Sequence, residues 1–177
     1  QVAADGRPVW YSEGQTFRRR WCRNNPAYFV FMKKIIRMAI ERGGADLIHM
    51  DNFFHLPEPE GCRCEICRAG FRRFIETRYS PSRMVERFGF ESAEHVIPPE
   101  YGRHEGPSNL DIIRNPLLQE WCDFRAFTNS RIYRRLASYA HGLKEEVAFE
   151  CNPGGIWGHN GAWQRAVDHE TLLRSGE

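Results

Sequence analysis

Three closely spaced cysteines, Cys62, Cys64 and Cys67, constrain this chain more than any other feature of its sequence. Three thiols this close in sequence suit one soft metal ion, because thiolates at about 2.3 Å from zinc can share a tetrahedral centre. Exposed, clustered thiols without a metal would be a chemical liability. The cysteines therefore predict a metal-stabilised loop.

A closed structural site of this kind needs a fourth ligand. Cys22 precedes the helix that leads into the strand before the loop, so we expect it at the same end of the sheet. Cys122 has apolar neighbours and is expected to pack in the core. Cys151 is expected to point to the helix-covered face of the sheet. The candidates that the residues alone leave open are Cys22, Cys122, Cys151, His49 and His55.

Polar side chains follow two predicted strands. The apolar run from Leu47 to Met50 has the length of a buried strand, which we place at 45–51, and it ends in Asp51 and Asn52. A second strand, 146–151, includes Glu150 and is followed by Asn152. Parallel strands end at one edge of a sheet, so these groups should converge. Asp51 and Glu150 are therefore candidate catalytic carboxylates, with capping of the next turn as the alternative role for Asp51.

Asn-Pro and Ser-Pro pairs predict where several helices begin, because Asn and Ser are good N-caps and Pro fits the first helical position. These signals and the apolar spacing predict helices at 26–42, 64–79, from Pro81 to near Gly89, from Pro116 to Gly142, and at 163–173. Helices alternating with apolar strands predict an α/β fold with a parallel sheet.

Length and charge exclude several classes of protein. The chain of 177 residues is long enough for one domain with its own core. It carries 25 basic and 23 acidic residues, a net charge of +2 that gives no argument for nucleic-acid binding. No apolar run approaches the roughly 18–20 residues of a membrane span. Metal-bound thiols favour a reducing compartment, so we expect a cytoplasmic protein.

Several stretches together resemble the zinc-containing β-galactosidases of glycoside hydrolase family forty-two, retaining enzymes with a (β/α)8 barrel. The segment from Phe17 through Cys22 to Tyr28 is similar to the Arg-rich segment of that family, and Asp51-Asn52 to the end of its fourth strand. Cys62-Arg63-Cys64-Glu65-Ile66-Cys67 matches its Cys-x-Cys-x-x-Cys. The stretch 123–127 and Asn152 resemble a later helix and the end of strand five.

The resemblance implies a structural zinc ion on four cysteines: Cys22, Cys62, Cys64 and Cys67. It also implies a sugar-binding pocket that includes Arg18 and Asn52, to which Asn152 is added by its position. The family has its acid/base Glu directly after the Asn of strand four, and this chain has Phe53 there. The resemblance therefore implies fold and zinc, but not the β-galactosidase mechanism.

We accordingly expect residues 1–177 to form a single domain, a partial (β/α)8 barrel within a larger protein. The two strands and the strand-like or irregular residues 1–21 make about three strands, which cannot close a barrel. The expected function is that of a divergent glycoside hydrolase acting on a carbohydrate substrate. The alternatives are a catalytically inactive carbohydrate-binding barrel and a zinc-stabilised α/β assembly domain. Open strand edges would also favour homo-oligomers, and the isolated chain should be inactive on glycosides.

Overall fold

The computed structural model describes residues 1–12, 14–56, 61–100, 114–153 and 164–174. Their helices and strands follow in the order α1 (Pro26–Glu41), β1 (Leu47–Met50), α2 (Glu65–Arg78), α3 (Pro81–Phe88), α4 (Pro116–His141), β2 (Ala148–Cys151) and α5 (His169–Leu173). The prediction of a mixed helix and strand fold is confirmed. Trp163, where the last helix was predicted to begin, lies outside the described residues.

The helix starts follow the capping residues that the sequence predicts. The side chain of Asn25 accepts a hydrogen bond from the backbone N–H of Ala27, and Pro26 begins α1. Ser80 caps α3 in the same way through the N–H of Arg83, and Gly89 ends that helix in the left-handed conformation. A side chain at Gly43, after α1, would place its Cβ 2.7 Å from the carbonyl oxygen of Ala39, so only glycine fits there.

The described chain divides into two compact units, and the first comprises residues 1–21 and 56–124. Its interior is aromatic: the ring of Phe71 lies 5.1 Å from Trp121 and 5.6 Å from Phe124. The carboxylate of Glu120 is buried here, where it accepts a 2.6 Å hydrogen bond from the hydroxyl of Tyr79. Residues 1–21 contribute two isolated bridges, Val2 with Pro8 and Trp10 with Arg19, and no strand of the sheet.

The second unit comprises residues 22–55 and 125–177 and contains the sheet. β1 and β2 pair in parallel, with Leu47 opposite Ala148 and Met50 opposite Cys151. Its core includes Ile36 and Ile40 of α1, Leu136 and Ala140 of α4, and Met50. The loop between α1 and β1 is short, as an αβ connection requires.

The two faces of this small sheet differ. Ile48, Phe149 and Cys151 lie against the core of the second unit, so the predicted direction of Cys151 is confirmed. Leu47, His49, Ala148 and Glu150 alternate with them and are exposed. Among the described residues the sheet has two strands, and a barrel is not seen. No helix of the described chain is long and apolar enough to cross a membrane.

A candidate metal centre and a candidate active site

Four cysteines form a group that could bind a metal ion. The sulfur atoms of Cys22, Cys62, Cys64 and Cys67 all lie within 4.8 Å of one another. Tetrahedral zinc with Zn–S bonds of about 2.3 Å places its sulfurs about 3.8 Å apart, so small shifts would complete the site. Cys62 and Cys67 are buried, and Cys22 and Cys64 are half-buried. The donor set and its spacing therefore fit a closed structural site for a thiophilic ion such as zinc.

The start of α2 favours the thiolate form of these ligands. Cys64 is the N-cap residue of α2, and Cys67 lies in its first turn. A hydrogen bond from Cys67 lowers the pKa of the Cys64 thiol to about 6, against the opposing effects of burial and of Cys62. The N-terminus of a helix also stabilises negative charge. Since metals bind the thiolate, the local structure prepares Cys64 as a ligand.

Arg63, between two of these cysteines, anchors the loop from inside the first unit. Its side chain is only 2% exposed. Its guanidinium donates a 2.6 Å hydrogen bond to the carbonyl of Pro99, and its backbone N–H donates one of 2.7 Å to the carbonyl of Val2. The guanidinium also lies 5.4 Å from the ring centroid of Trp121. These contacts fix the backbone that carries Cys62 and Cys64. No pattern in the sequence indicates that an arginine here would be buried.

The other candidate ligands have different surroundings. Cys122 is buried within α4, as predicted. The Nδ1 atom of His49 lies 2.7 Å from a carboxylate oxygen of Glu150. His55 is buried, and its backbone N–H bonds the carbonyl of Arg165. Among the described residues, the metal-site geometry selects Cys22 from the candidates that the sequence left open.

Asp51 and two asparagines meet at the carboxyl edge of the sheet. One carboxylate oxygen of Asp51 accepts a 2.7 Å hydrogen bond from the side-chain amide of Asn52, and the other accepts one of 3.4 Å from Asn152. The backbone links the same strand ends, because the N–H of Phe53 bonds the carbonyl of Asn152 at 2.9 Å. The predicted convergence of polar groups from two strands is therefore observed for these three side chains, and Asp51 remains exposed.

The backbone at Asn52 is in the left-handed region, with φ of 52°. Such a conformation costs a non-glycine residue free energy and persists only where its surroundings impose it. Arg23 supplies that restraint, since its guanidinium donates to the carbonyls of Asn52 at 3.1 Å and Phe54 at 2.9 Å. The buried amide of Asn129 accepts from Arg23 at 2.8 Å and donates to the carbonyl of Phe53 at 3.3 Å.

Arg23 and Asn129 were missed by sequence reasoning. They hold the loop after Asp51 through hydrogen bonds to backbone carbonyls, which any residue of that loop could provide. Only the polarity of Asn129 within the apolar spacing of α4 could have signalled a buried structural role. The pair orients the backbone on which the candidate carboxylate depends.

Glu150 and Arg18 have other partners than Asp51. Glu150 bonds His49 on the exposed face of the sheet, where the side chains are 57% and 46% exposed. Arg18 belongs to the first unit, where it donates a 2.9 Å hydrogen bond to Gln15 and lies 4.0 Å from the ring centroid of Tyr11. The roles predicted for Glu150 in catalysis and for Arg18 in sugar binding stay predictions.

Phe53, at the position where the resembled family has its acid/base Glu, is completely buried. Its ring lies 5.5 Å from that of Tyr133 and 4.3 Å from the guanidinium carbon of Arg23. The left-handed turn at Asn52 interrupts the alternation of the strand and directs the next side chain into the core. A side chain at this position therefore does not face solvent beside Asp51.

We expect Phe53→Glu to destabilise the fold and to create no acid/base group. The variant removes a buried aromatic side chain and buries a carboxyl group, which together should cost at least about 3 kcal/mol. Phe53→Leu, a control that keeps the site apolar, should cost clearly less. Thermal unfolding of both variants measures the difference. A glutamate variant that melts like the wild type would show that the side chain can reach solvent.

Comparisons of the chain with protein-family models, with curated proteins and with solved structures find no significant match.

Proposed function

We propose that the chain belongs to a carbohydrate-active protein of the glycoside hydrolase type, with Asp51 as a catalytic carboxylate and a structural zinc ion on the four cysteines. The meeting of Asp51, Asn52 and Asn152 at the carboxyl edge of parallel strands is the observation that carries the proposal. Ligands of α/β folds bind at this edge. Family resemblance supplies the substrate class, and the geometry supplies the candidate residues.

The hydrogen bonds around Asp51 suit a group that acts on a bound sugar. Its two amide donors hold the carboxylate in one orientation, and its exposure leaves it accessible to a ligand. A carboxylate so placed can attack an anomeric carbon as a nucleophile, while neighbouring amides bond sugar hydroxyls. Asp51 would have this role here.

The exposed face of the sheet supports the barrel part of the proposal. Parallel strands are normally covered on both faces. In the described chain β1 and β2 are covered on one face, while Leu47 is 49% exposed on the other. In a barrel that face points to the interior and is covered by the remaining strands. His49 and Glu150 are also exposed on this second face, which agrees with this arrangement.

Zinc would act by stabilising the loop that follows the strand, through Cys22, Cys62, Cys64 and Cys67. Four thiolates leave no open coordination position for a substrate or a water molecule, so the ion would be structural rather than catalytic. The chemistry of the site would then depend on Asp51 and its neighbours.

An inactive carbohydrate-binding protein is the second candidate function. Phe53 favours it, because a buried aromatic ring replaces the acid/base Glu of the resembled family. Such a protein would keep Asp51 and the asparagines as hydrogen-bonding groups for sugar hydroxyls. The zinc site would serve this function equally well.

Turnover of a panel of aryl glycosides by the full-length protein tests the proposal. We expect hydrolysis of at least one member of the panel, measured by release of the coloured phenol. Saturable binding of the matching free sugar without turnover would replace the hydrolase with the inactive binding protein. If neither turnover nor binding occurs, a zinc-stabilised assembly domain becomes the better explanation.

A further inference from the structure

A cavity of about 430 Å³ lies in the second unit between the start of α1 and the middle of α4. Its volume is within the range of about 300–1,000 Å³ that small-molecule sites occupy. Three arginines line it, Arg23, Arg131 and Arg135, and its described lining contains no acidic residue. A concave, strongly basic surface with no acidic side chain in its wall is suited to an anionic ligand.

Arg131 and Arg135 repel one another. They are one helical turn apart on α4, a spacing at which like charges destabilise a helix. Burial and the neighbouring charge of Arg135 lower the pKa of Arg131. Their described contacts are with rings: Arg135 lies 3.9 Å from the centroid of Phe29, and Arg131 lies 5.4 Å from that of Phe127. In the described part of the chain no carboxylate pairs with either, so a bound anion would relieve the repulsion.

The start of α1 adds to the positive potential in the cavity. Asn24, Asn25 and Pro26 line the wall, and the first turn of α1 contains no acidic residue. The N-terminus of a helix carries a partial positive charge, which acidic residues commonly neutralise. Here that charge and the guanidinium groups act on the same cavity. Thr128 also lines the wall, and its buried hydroxyl donates a 3.1 Å hydrogen bond to the carbonyl of Arg125.

We propose that this cavity binds a small phosphate monoester. Guanidinium groups match a phosphate group in both charge and geometry, and can bond it with two N–H groups at once. The cavity is larger than a phosphate ion, and Phe29, Val30 and Ile132 line its apolar part. The organic part of the ligand packs there while its phosphate contacts the arginines. Arg23 lines this cavity and also holds the loop after Asp51, but phosphate binding at Arg131 and Arg135 does not depend on the proposed catalytic role of Asp51.

Titration with phenyl phosphate and with inorganic phosphate, at matched ionic strength and followed by calorimetry, tests the proposal. We expect saturable binding of both, with phenyl phosphate the tighter. Arg131→Gln and Arg135→Gln should each raise the Kd for phenyl phosphate at least tenfold. Arg134→Gln is the matched control, because Arg134 is on the same helix but does not line the cavity, and it should change the Kd less than twofold. Circular dichroism confirms that each variant is folded.

Three outcomes would overturn the proposal. One is the absence of saturable binding by the folded wild-type protein. Another is an equal rise in the Kd for phenyl phosphate in all three arginine variants, which would indicate attraction to the general positive charge of α4. The third is binding to phosphatidic acid vesicles without binding to phenyl phosphate, which would assign the arginines to a lipid surface.

Discussion

Cys62→Ser and Cys64→Ser are expected to abolish zinc binding and to lower the melting temperature by about 10 °C or more. Loss of a structural zinc ion removes folding free energy directly, and about 1 kcal/mol corresponds to roughly 2–4 °C in a chain of this size. The effect should be large because the same loop carries Arg63, which is buried in the first unit. Loosening of the loop would therefore also disturb the contacts of this buried side chain. Elemental analysis of freshly purified, reduced protein and thermal unfolding measure the two effects together.

Cys122→Ser is the control for these variants. Cys122 is buried in α4 outside the group of four sulfurs, so serine there should cost some stability and leave one zinc ion per chain. Cys22→Ser should behave like Cys62→Ser, which tests the fourth ligand separately. The absence of zinc from the reduced wild-type protein would contradict the site. Equal loss of metal from the Cys122 variant would show that the cysteines act through folding alone.

The parts of the fold that could be predicted from sequence are those set by local interactions. Asn25-Pro26 and Ser80-Pro81 begin helices at the expected residues because a cap and its helix are neighbours in the chain. The cysteine loop was also predictable, since three of its four thiols are close in sequence. Asp51 follows β1 as expected, because a short apolar run before polar residues shows where a strand ends.

What could not be predicted depends on partners that are distant in sequence. The apolar spacing of the two helices places Ile66 and Phe127 on their buried faces, but these side chains are 41% and 49% exposed. Periodicity gives the spacing of an apolar face, but the packing partner decides its edges. Glu120 is buried because Tyr79 and Arg87 supply hydrogen bonds from elsewhere in the first unit. No pattern within α4 indicates those partners.

Phe53 shows how backbone geometry limits a prediction made by resemblance. Aligning the residue after Asn52 with an acid/base Glu assumes that both side chains point to the same place. The left-handed conformation of Asn52 changes the direction of the next side chain, and no residue pattern announces it. The chain can therefore resemble a family at Asp51 and Asn52 and differ from it in the chemistry available one residue later.

Under the proposed hydrolase function, Asp51→Asn is expected to lower glycoside hydrolysis by the full-length protein roughly a thousandfold or more, which corresponds to about 4 kcal/mol of transition-state stabilisation. An amide is of similar size but is a much weaker nucleophile than a carboxylate. The melting temperature should change little in comparison, because loss of a turn cap costs about 1 kcal/mol. Rates on the aryl-glycoside panel and melting curves of the same preparations separate catalysis from folding.

The hydrogen bonds of Asp51 set the controls that this experiment needs. Both its carboxylate oxygens accept from side-chain amides, and an asparagine there would face one of those donors with a donor of its own. Asp51→Asn is therefore expected to lose some stability even where Asp51 acts as the catalytic group. Asp46→Asn controls for loss of charge, because Asp46 precedes β1, is exposed and pairs with Lys144. Asp46→Asn should hydrolyse the glycosides at a rate within twofold of that of the wild type. If Asp51→Asn also stayed within twofold of the wild type, Asp51 would organise the turn without taking part in the reaction.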